Sequence, residues 1–529
     1  MNLFKQLLFS FLLIASYASA QSQNDISSDL EKLEIFLSSL NAKYVDSVNT
    51  YDLVESAIKN VLRDLDPHSI YLNKEVYQST TEQLNGKFNG LGIRYQMVDD
   101  TMTILEVYKG SGAEKAGIRM GDQMIAAGND TLSGLGQSSR ELSDILEANA
   151  LLNEGITIWR KSGKEQDIVY VDRLSISVSS VPAAFMIDQE IGYIKLSKFT
   201  DKSFDDVKSA LEKLKKAKVE KLIFDIRGNS GGYLTRAIKI ADEFLEDRRL
   251  IVYTQGVHQS KRETFATSGG RFTEGDLVIL IDEHSASASE IFAGAIQDWD
   301  RGLIIGRRSY GKGLVQRPIE FGDGSAMRMT ISRYYTPTGR SIQQPYSEGY
   351  DAYRNAHKHR RQSGELLDQD SIQIADSLVY FTPKNRKVYG GGGIIPDLFV
   401  SEDTSKYTAA VSQLLRQGLS YGFVLKIVAI RGDEIAKGFK DANDYVLNFQ
   451  VDAGLYVYFQ NYIANRVDFE IDWNDLNTEL QIKRHLKTLI ARFAFDMQAY
   501  YRAQLEFDVD VLAAREALEK DKLQELGLK

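Results

Sequence analysis

Between residues 190 and 306 short apolar runs alternate with amphipathic segments, and no other feature restricts the fold of this chain as much. The runs are IGYIKL (191–196), KLIFDI (221–226), DLVILID (276–282) and GLIIG (302–306). Each has the length and composition of a strand. The intervening stretches place apolar residues at helical spacing, through Val207, Leu211 and Leu214, then Ala237 to Leu245, then about Ser287 to Trp299. Strands that alternate with helices need crossover connections, so the pattern predicts a layered α/β core.

At 529 residues the chain exceeds one core and should divide into several domains. Residues 21–85 read as helical. Leu30, Leu33, Leu37 and Leu40 form one stripe, Val54, Ile58 and Leu62 a second, and DPHS (66–69) stops the second helix. Residues 86–175 change texture to β-like runs with glycine turns, interrupted by the helical SRELSDILEA, and read as a self-contained β-rich module. The α/β core then occupies 176–347 and is completed by 386–400. Between these lies a polar stretch, 348–385, containing RNAHKHRRQSGE, which reads as a surface insertion. Residues 401–529 are helical. Ile482, Leu486, Leu489, Ile490, Phe493 and Met497 mark an apolar stripe that should pack against the rest of the chain.

The chain begins with Lys5, the apolar LLFSFLLIA and the small residues Ala18–Ala20, the pattern of an export signal cleaved after Ala20. That reading predicts an exported protein, periplasmic or secreted. The apolar run is too short to cross a bilayer. The absence of cysteine excludes disulfides, thiol catalysis and lipoprotein attachment. A net charge of −9 argues against nucleic acid or an anionic membrane as partner.

Three motifs could carry chemistry. GNSGG (228–232) satisfies G-x-S-x-G between a strand and a helix, with Ser230 as nucleophile and His258, His284, His357 and His359 as available bases. The same residues equally describe a glycine turn whose amides can hold an oxyanion. GRRSYGKG (306–313) matches the first part of a phosphate-binding loop. It has Gly313 where Ser or Thr should bind magnesium, and a strand-like LVQRPIEF where a helix should begin. The nucleotide reading therefore fails and leaves Lys312 among glycines. The third motif is HSASASE (284–290). Ser287 and Glu290 form a capping box before an apolar run. A nucleophile and a cap can share that position, because a helix start offers free amides and a positive dipole end. His284 or a neutral Lys312 could activate Ser287.

Five blocks in order resemble the carboxy-terminal processing, or tail-specific, protease family across roughly residues 30–400. They are DPHSIYL; FNGLGI with KGSGAEKAGIRMGD; LIFDIRGNSGG; SASASEIFAGAIQDWDRGLIIGRRSYGKGLVQ; and YYTPTGRSIQ with GGGIIPD. The resemblance implies an α/β multidomain serine endopeptidase. Its core would be a crotonase/ClpP-like α/β protease fold carrying an inserted β-rich PDZ domain, with helical N- and C-terminal regions. It further implies Ser287 as nucleophile, Lys312 as general base and Gln316 as the residue that orients the lysine. The backbone amides of Ala288 and Gly231 would form the oxyanion hole. In the module resembling a PDZ domain, Gly90, Leu91, Gly92 and Ile93 would bind a peptide's free C-terminus. No metal or cofactor is implied. Substrates would be proteins or peptides with free C-termini. The polar insertion and the long C-terminal region depart from a minimal family member and leave room for an oligomer contact or an adaptor. Two other readings stay open: a non-catalytic PDZ scaffold, and a Ser-His hydrolase built on Ser230.

Overall fold

A six-stranded sheet forms the centre of the molecule. Ile191–Lys195, Lys221–Asp225, Asp276–Ile281, Leu303–Gly306 and Leu398–Phe399 run parallel in that order. Ala183–Met186 adds antiparallel at one edge. These strands are apolar throughout because both faces are covered. Leu222, Phe224, Leu277, Ile279, Ile281 and Ile304 point into a core shared with the helices Ser203–Lys216, Leu234–Asp242 and Ala288–Asp298. Ile223, Val278, Leu280, Leu303 and Ile305 point the other way, against Val511, Ala514, Ala517 and Leu518 of the helix Val509–Glu519. The computed structural model describes residues 26–528 with short interruptions at 99, 135, 137–138, 152–153, 161–164, 374–375 and 404–407; the expected export signal lies outside the described residues.

A second sheet packs beside the first. Its long strand Ala326–Tyr335 pairs antiparallel with Ile70–Leu72, with Leu314–Glu320 and with Leu250–Gly256, which in turn pairs with Gln259–Phe265. The DPHS block thus does more than end a helix, since it feeds the strand Ile70–Leu72. Asp66 accepts from the backbone N–H groups of His68 and Ser69 and from the Ser69 hydroxyl, which fixes the turn. The preceding helix 26–43 leaves Leu30, Leu33 and Phe36 exposed. The stripe read there is real, but nothing in the described chain covers it.

The β-rich module is built as expected around the sheet order Ile93–Val98, Thr101–Val107, Gln123–Ala127, Ile156–Trp159, Gln166–Val169. It has its own core of Met102, Ile104, Met124, Leu142, Ile156 and Ile158. It is also docked. Leu105 joins the core of the C-terminal helices, and Arg492 reaches Glu106 at 3.0 Å.

Two sequence boundaries require correction. The stretch 348–385 is not simply a surface insertion, because its helix Tyr350–Gln362 turns Tyr353 and Arg360 inward. The region 401–529 is not one unit either. Its first part builds a separate core that contains the expected stripe from Ile482 to Phe493 and reaches Ala499 and Ala503 of the following helix. Met497 instead starts the next helix. The last helices belong to the central sheet. At the start of Val509–Glu519, Asp508 and Asp510 each meet Arg227 at 2.7 Å, and Asp510 meets Arg307 at 3.4 Å.

The motif YYTPTGRSIQ owes its arginine to a wholly buried ion pair. Arg340 is 0% exposed and donates to Asp298 Oδ1 at 2.7 Å, Gln297 Oε1 at 2.8 Å and the Tyr389 carbonyl at 2.7 Å. Asp298 also accepts from the N–H and hydroxyl of Thr338. Arg340→Met should strand the Asp298 charge and lower stability by about 3–5 kcal/mol in urea denaturation. The double variant Arg340→Met/Asp298→Leu should recover much of that loss, and a double variant as unstable as the single would contradict it.

Candidate active site

The strand Asp276–Ile281 delivers the chain to the start of the wholly buried helix Ala288–Asp298, and the residue at the corner is Ser287. Its backbone is at φ 55°, ψ −110°, outside the regions a side chain prefers. Such a conformation costs about 1–3 kcal/mol and persists only where the surroundings enforce it. The Ala288 N–H opens the helix and has no intrahelical partner.

The other serines of HSASASE explain how that corner is held. Ser285, 0% exposed, donates to the Ile226 carbonyl at 2.9 Å, and Ser289, also 0% exposed, donates to the Asn229 carbonyl at 2.7 Å. Both therefore tie the corner to the glycine turn 228–232. Asp282 accepts from the Gly228 N–H at 2.9 Å on the same side. The turn passes so close that a Cβ on Gly231, at φ +100°, would lie 2.7 Å from the Ala286 carbonyl oxygen and 2.9 Å from Ser287 Cβ. Only glycine fits there. The Gly231 N–H is engaged, however, donating to Asn229 Oδ1 at 2.9 Å. Ser230 projects outward and is exposed, as are His258, His284 and His359; the side chain of His357 lies outside the described residues. The His284 ring lies 3.6 Å from the Glu283 carboxylate, and its backbone N–H donates to Asp282 Oδ1 at 3.1 Å.

Lys312 comes from the loop after Leu303–Gly306. A strand, Leu314–Glu320, follows it rather than a helix, in accord with the failed nucleotide reading. Lys312 Nζ donates to Gln316 Oε1 at 2.8 Å, and Gln316 Nε2 donates to the His68 carbonyl at 2.5 Å. A carbonyl can only accept, so His68 dictates which end of the amide faces the lysine. Burial pushes the Lys312 amine down to about 8, the Arg328 charge adds to that, and Asp66 and Glu290 oppose it.

What joins serine to lysine is a residue the sequence showed only as a cap. Glu290 is 0% exposed. Its Oε2 accepts from the Ser287 N–H at 2.7 Å and from the Lys312 N–H at 2.9 Å. Its Oε1 accepts from Ser309 Oγ at 2.5 Å and the Gly311 N–H at 2.7 Å. Burial pushes this carboxyl above its ordinary value, and the four donors pull against that. On the opposite side the Tyr334 hydroxyl lies 2.7 Å from the Lys312 carbonyl oxygen and 3.1 Å from that of Ser287. It has a single proton, so the shorter contact is its main bond. Neither Ser309 nor Tyr334 had a signal in the sequence beyond membership of a motif. The insertion braces the same loop: Arg360 donates to the carbonyls of Ser309 and Arg308, and Glu365 pairs with both Arg360 and Arg308.

In the β-rich module Gly90–Ile93 leads into Ile93–Val98, a strand with a neighbour on one side only. The carbonyls of Leu91 and Gly92 accept from Ala113 and Tyr108, each at 2.9 Å. With every peptide trans, the N–H groups of Gly92 and Ile93 must point the opposite way, toward the open edge. Gly92, at φ +83°, would place a Cβ 2.1 Å from Ser111 Cβ.

Glu290→Gln keeps the shape but turns an NH2 toward two donors. It should lower turnover about 100-fold or more through loss of alignment, with a folded circular-dichroism spectrum. Near-normal turnover would show that Glu290 is only a helix cap.

Comparison with known proteins identifies the family of the chain. Residues 190–348 match peptidase family S41, residues 13–76 match the activating protease CtpB N-terminal domain, and residues 410–496 match a family of unknown function. The chain is 31% identical over 394 residues to a carboxy-terminal-processing protease of Bartonella bacilliformis, covering 72% of this chain and 90% of that one. It is 31% identical over 338 residues to a probable CtpA-like serine protease of Staphylococcus aureus, covering 63% of this chain and 66% of that one. Among solved structures, the photosystem II D1 C-terminal processing protease is similar at 25% identity and TM-score 0.34, over 58% of this chain and 83% of that one. With nine-tenths of a processing protease matched from end to end, the chain belongs to peptidase family S41 and is a carboxy-terminal-processing serine protease.

Proposed function

We propose that this protease is an exported endopeptidase that captures free protein C-termini through a PDZ domain at residues 86–175 and cleaves with a Ser287–Lys312 dyad. The observation that carries the dyad is the convergence of the Ser287 and Lys312 backbone N–H groups on one oxygen of Glu290. Two residues far apart in sequence are thereby held within the span of a single carboxylate oxygen. No metal or cofactor enters the scheme.

A lysine must be neutral to accept a proton from serine, and one pushed down to about 8 is neutral in a useful fraction of molecules near neutral pH. The neutral amine donates to Gln316 and keeps its lone pair for the Ser287 hydroxyl. The alkoxide then attacks the peptide carbonyl and forms a tetrahedral oxyanion. Ala288 N–H is one donor to it. Gly231 N–H serves as the second when it exchanges Asn229 Oδ1 for the oxyanion. Lys312 next passes its proton to the leaving amine, and water releases the acyl-enzyme.

The PDZ reading is supported by the outward amides of Gly92 and Ile93 and by the open strand edge beside them. A carboxylate would bind at the amides while the peptide continues as an added strand. Export rests on the sequence of residues 1–20. No helix among the described residues is long and apolar enough to cross a membrane. The Ser-His alternative is the weaker reading, since Ser230 is exposed and bonds to no histidine side chain among the described residues.

Three outcomes test this reading. Ser287→Ala and Lys312→Ala should each lose about 10⁴-fold or more in turnover of an unstructured protein substrate, with Ser230→Ala close to wild type. The reverse pattern would transfer the nucleophile to Ser230. For wild type, kcat/KM should climb about tenfold per pH unit below the lysine's value and level off above about 8, because only the neutral amine is competent. A rate that falls with rising pH across this range would exclude Lys312 as base. Amidating the substrate's C-terminus should raise KM about tenfold, and equal KM values would remove the PDZ module from substrate capture.

A further inference from the structure

Arg328 has no role in the chemistry above, and among the described residues no anion balances it. It lies on Ala326–Tyr335, where the register pairs Gln316 with Thr330 and Pro318 with Arg328. Residues two apart on a strand share a face, and so do cross-strand partners. Arg328 therefore stands on the face that carries Gln316, the residue holding Lys312 Nζ. Thr330 on that same face meets Ser69 Oγ at 3.4 Å, and Ile70 on the neighbouring strand is paired with Arg328.

The guanidinium is in an unusual position for a charge. Its Nε is buried without a hydrogen-bond partner, while part of the side chain stays open to solvent. Burial alone pulls it below its ordinary value, with no carboxylate acting against that. Arginine cannot shed its proton to relieve the strain. A second cation faces it. Lys198 is half-buried and is pushed down first by burial and then by the Arg328 charge. Its neighbour Phe199 donates to the Gly231 carbonyl at 3.0 Å, so Lys198 borders the glycine turn while Arg328 borders the lysine. Lys198 Nζ donates to Gln83 Oε1 at 3.3 Å, a neutral partner that leaves its charge unbalanced.

The acids that act on Lys312 are otherwise engaged. Asp66 is held by His68 and Ser69, and Glu290 by its four donors. A desolvated cation without a counter-charge is costly to keep in a folded protein, and it becomes favourable when an anion arrives with a substrate. A guanidinium is suited to a carboxylate, which it can hold through two parallel hydrogen bonds.

We propose that Arg328 and Lys198 form a carboxylate-binding subsite on the rim of the catalytic centre. It takes a carboxylate of the substrate chain close to the scissile bond, and so sets which bond is cut. This goes beyond capture of the chain end by the β-rich module and rests on the Ser287–Lys312 reading. The carboxylate has two possible sources with the same chemistry: an Asp or Glu side chain, or the α-carboxylate of a very short tail.

The test is a set of peptides with one fixed cleavage sequence and an amidated end, in which Glu and Gln alternate at each of the three positions on either side of the scissile bond. In a second arm, free-acid and amide termini are compared on tails of three and of fifteen residues. Wild type should prefer Glu over Gln by about tenfold or more in kcat/KM at one position, or free acid over amide on the short tail alone. R328Q should bring that ratio close to one, R328K should restore part of it, and K198Q should reduce it. Because the readout is a ratio within one folded enzyme, a general loss of activity does not imitate it. The proposal is overturned if wild type does not discriminate in either arm, or if R328Q lowers Glu and Gln peptides equally. Ser287→Ala serves as the control for the underlying reading: activity surviving in that variant refutes the dyad, whereas a silent control with an unselective wild type refutes only the subsite.

Discussion

The carboxylate of Glu290 is the contact on which the catalytic arrangement depends. The paired strand ends Ile281 and Gly306 bring the loops of Ser287 and Lys312 side by side, but their main chains still have to be fixed to a common point. One buried oxygen does so by accepting an N–H from each. The second oxygen fixes the loop in between through Ser309 and Gly311. Tyr334 closes the arrangement from the carbonyl side. A charge at this depth is tolerable only because all its hydrogen-bonding capacity is used. That requirement makes the geometry close to all-or-none. The same burial that taxes Glu290 depresses the lysine, so one physical cause acts on both the scaffold and Lys312.

Support for this centre extends outward in shells of decreasing locality. Ser285 and Ser289 tie the serine corner to the glycine turn, and the DPHS block orients Gln316 through a single carbonyl. Farther out, Asp508 and Asp510 grip Arg227 just before the glycine turn, Asp510 also meets Arg307 just before the lysine loop, and Arg307 pairs with Glu283. The chain's last helices thus touch the roots of the glycine turn and the lysine loop directly, and the root of the serine corner through Arg307. The C-terminal helices also seat the β-rich module through Arg492 and Leu105. The β-rich module and the loops of Ser287 and Lys312 consequently lean on successive parts of the C-terminal helices.

Much of the central architecture was legible from periodicity, because parallel strands covered on both faces must be apolar along their whole length. The strands KLIFDI and DLVILID and the helix after Ser287 are where the pattern puts them. The site was less legible. A capping box is an ordinary helix signal, and only the order of five motifs singled out Ser287, Lys312 and Gln316. Glu290 was visible as a cap but not as a hub, since its partners Gly311 and Lys312 reach it through backbone N–H groups, which carry no residue identity. The insertion at 348–385 looked like surface because its sequence is charged, yet Arg360 and Glu365 neutralise each other inside. The tail was misdivided for a related reason: helical periodicity tells that a face is buried but not against what. Arg328 was invisible, because an unpaired charge is a property of its surroundings.

The most direct test of the central claim is to react the folded enzyme with a fluorophosphonate and locate the adduct by mass spectrometry across a pH series. The account predicts one modified residue, Ser287, with a labelling rate that rises to a plateau near pH 8 and loses that dependence in Lys312→Ala. An adduct on Ser230, or labelling of Ser287 at a rate indifferent both to pH and to Lys312, would contradict it.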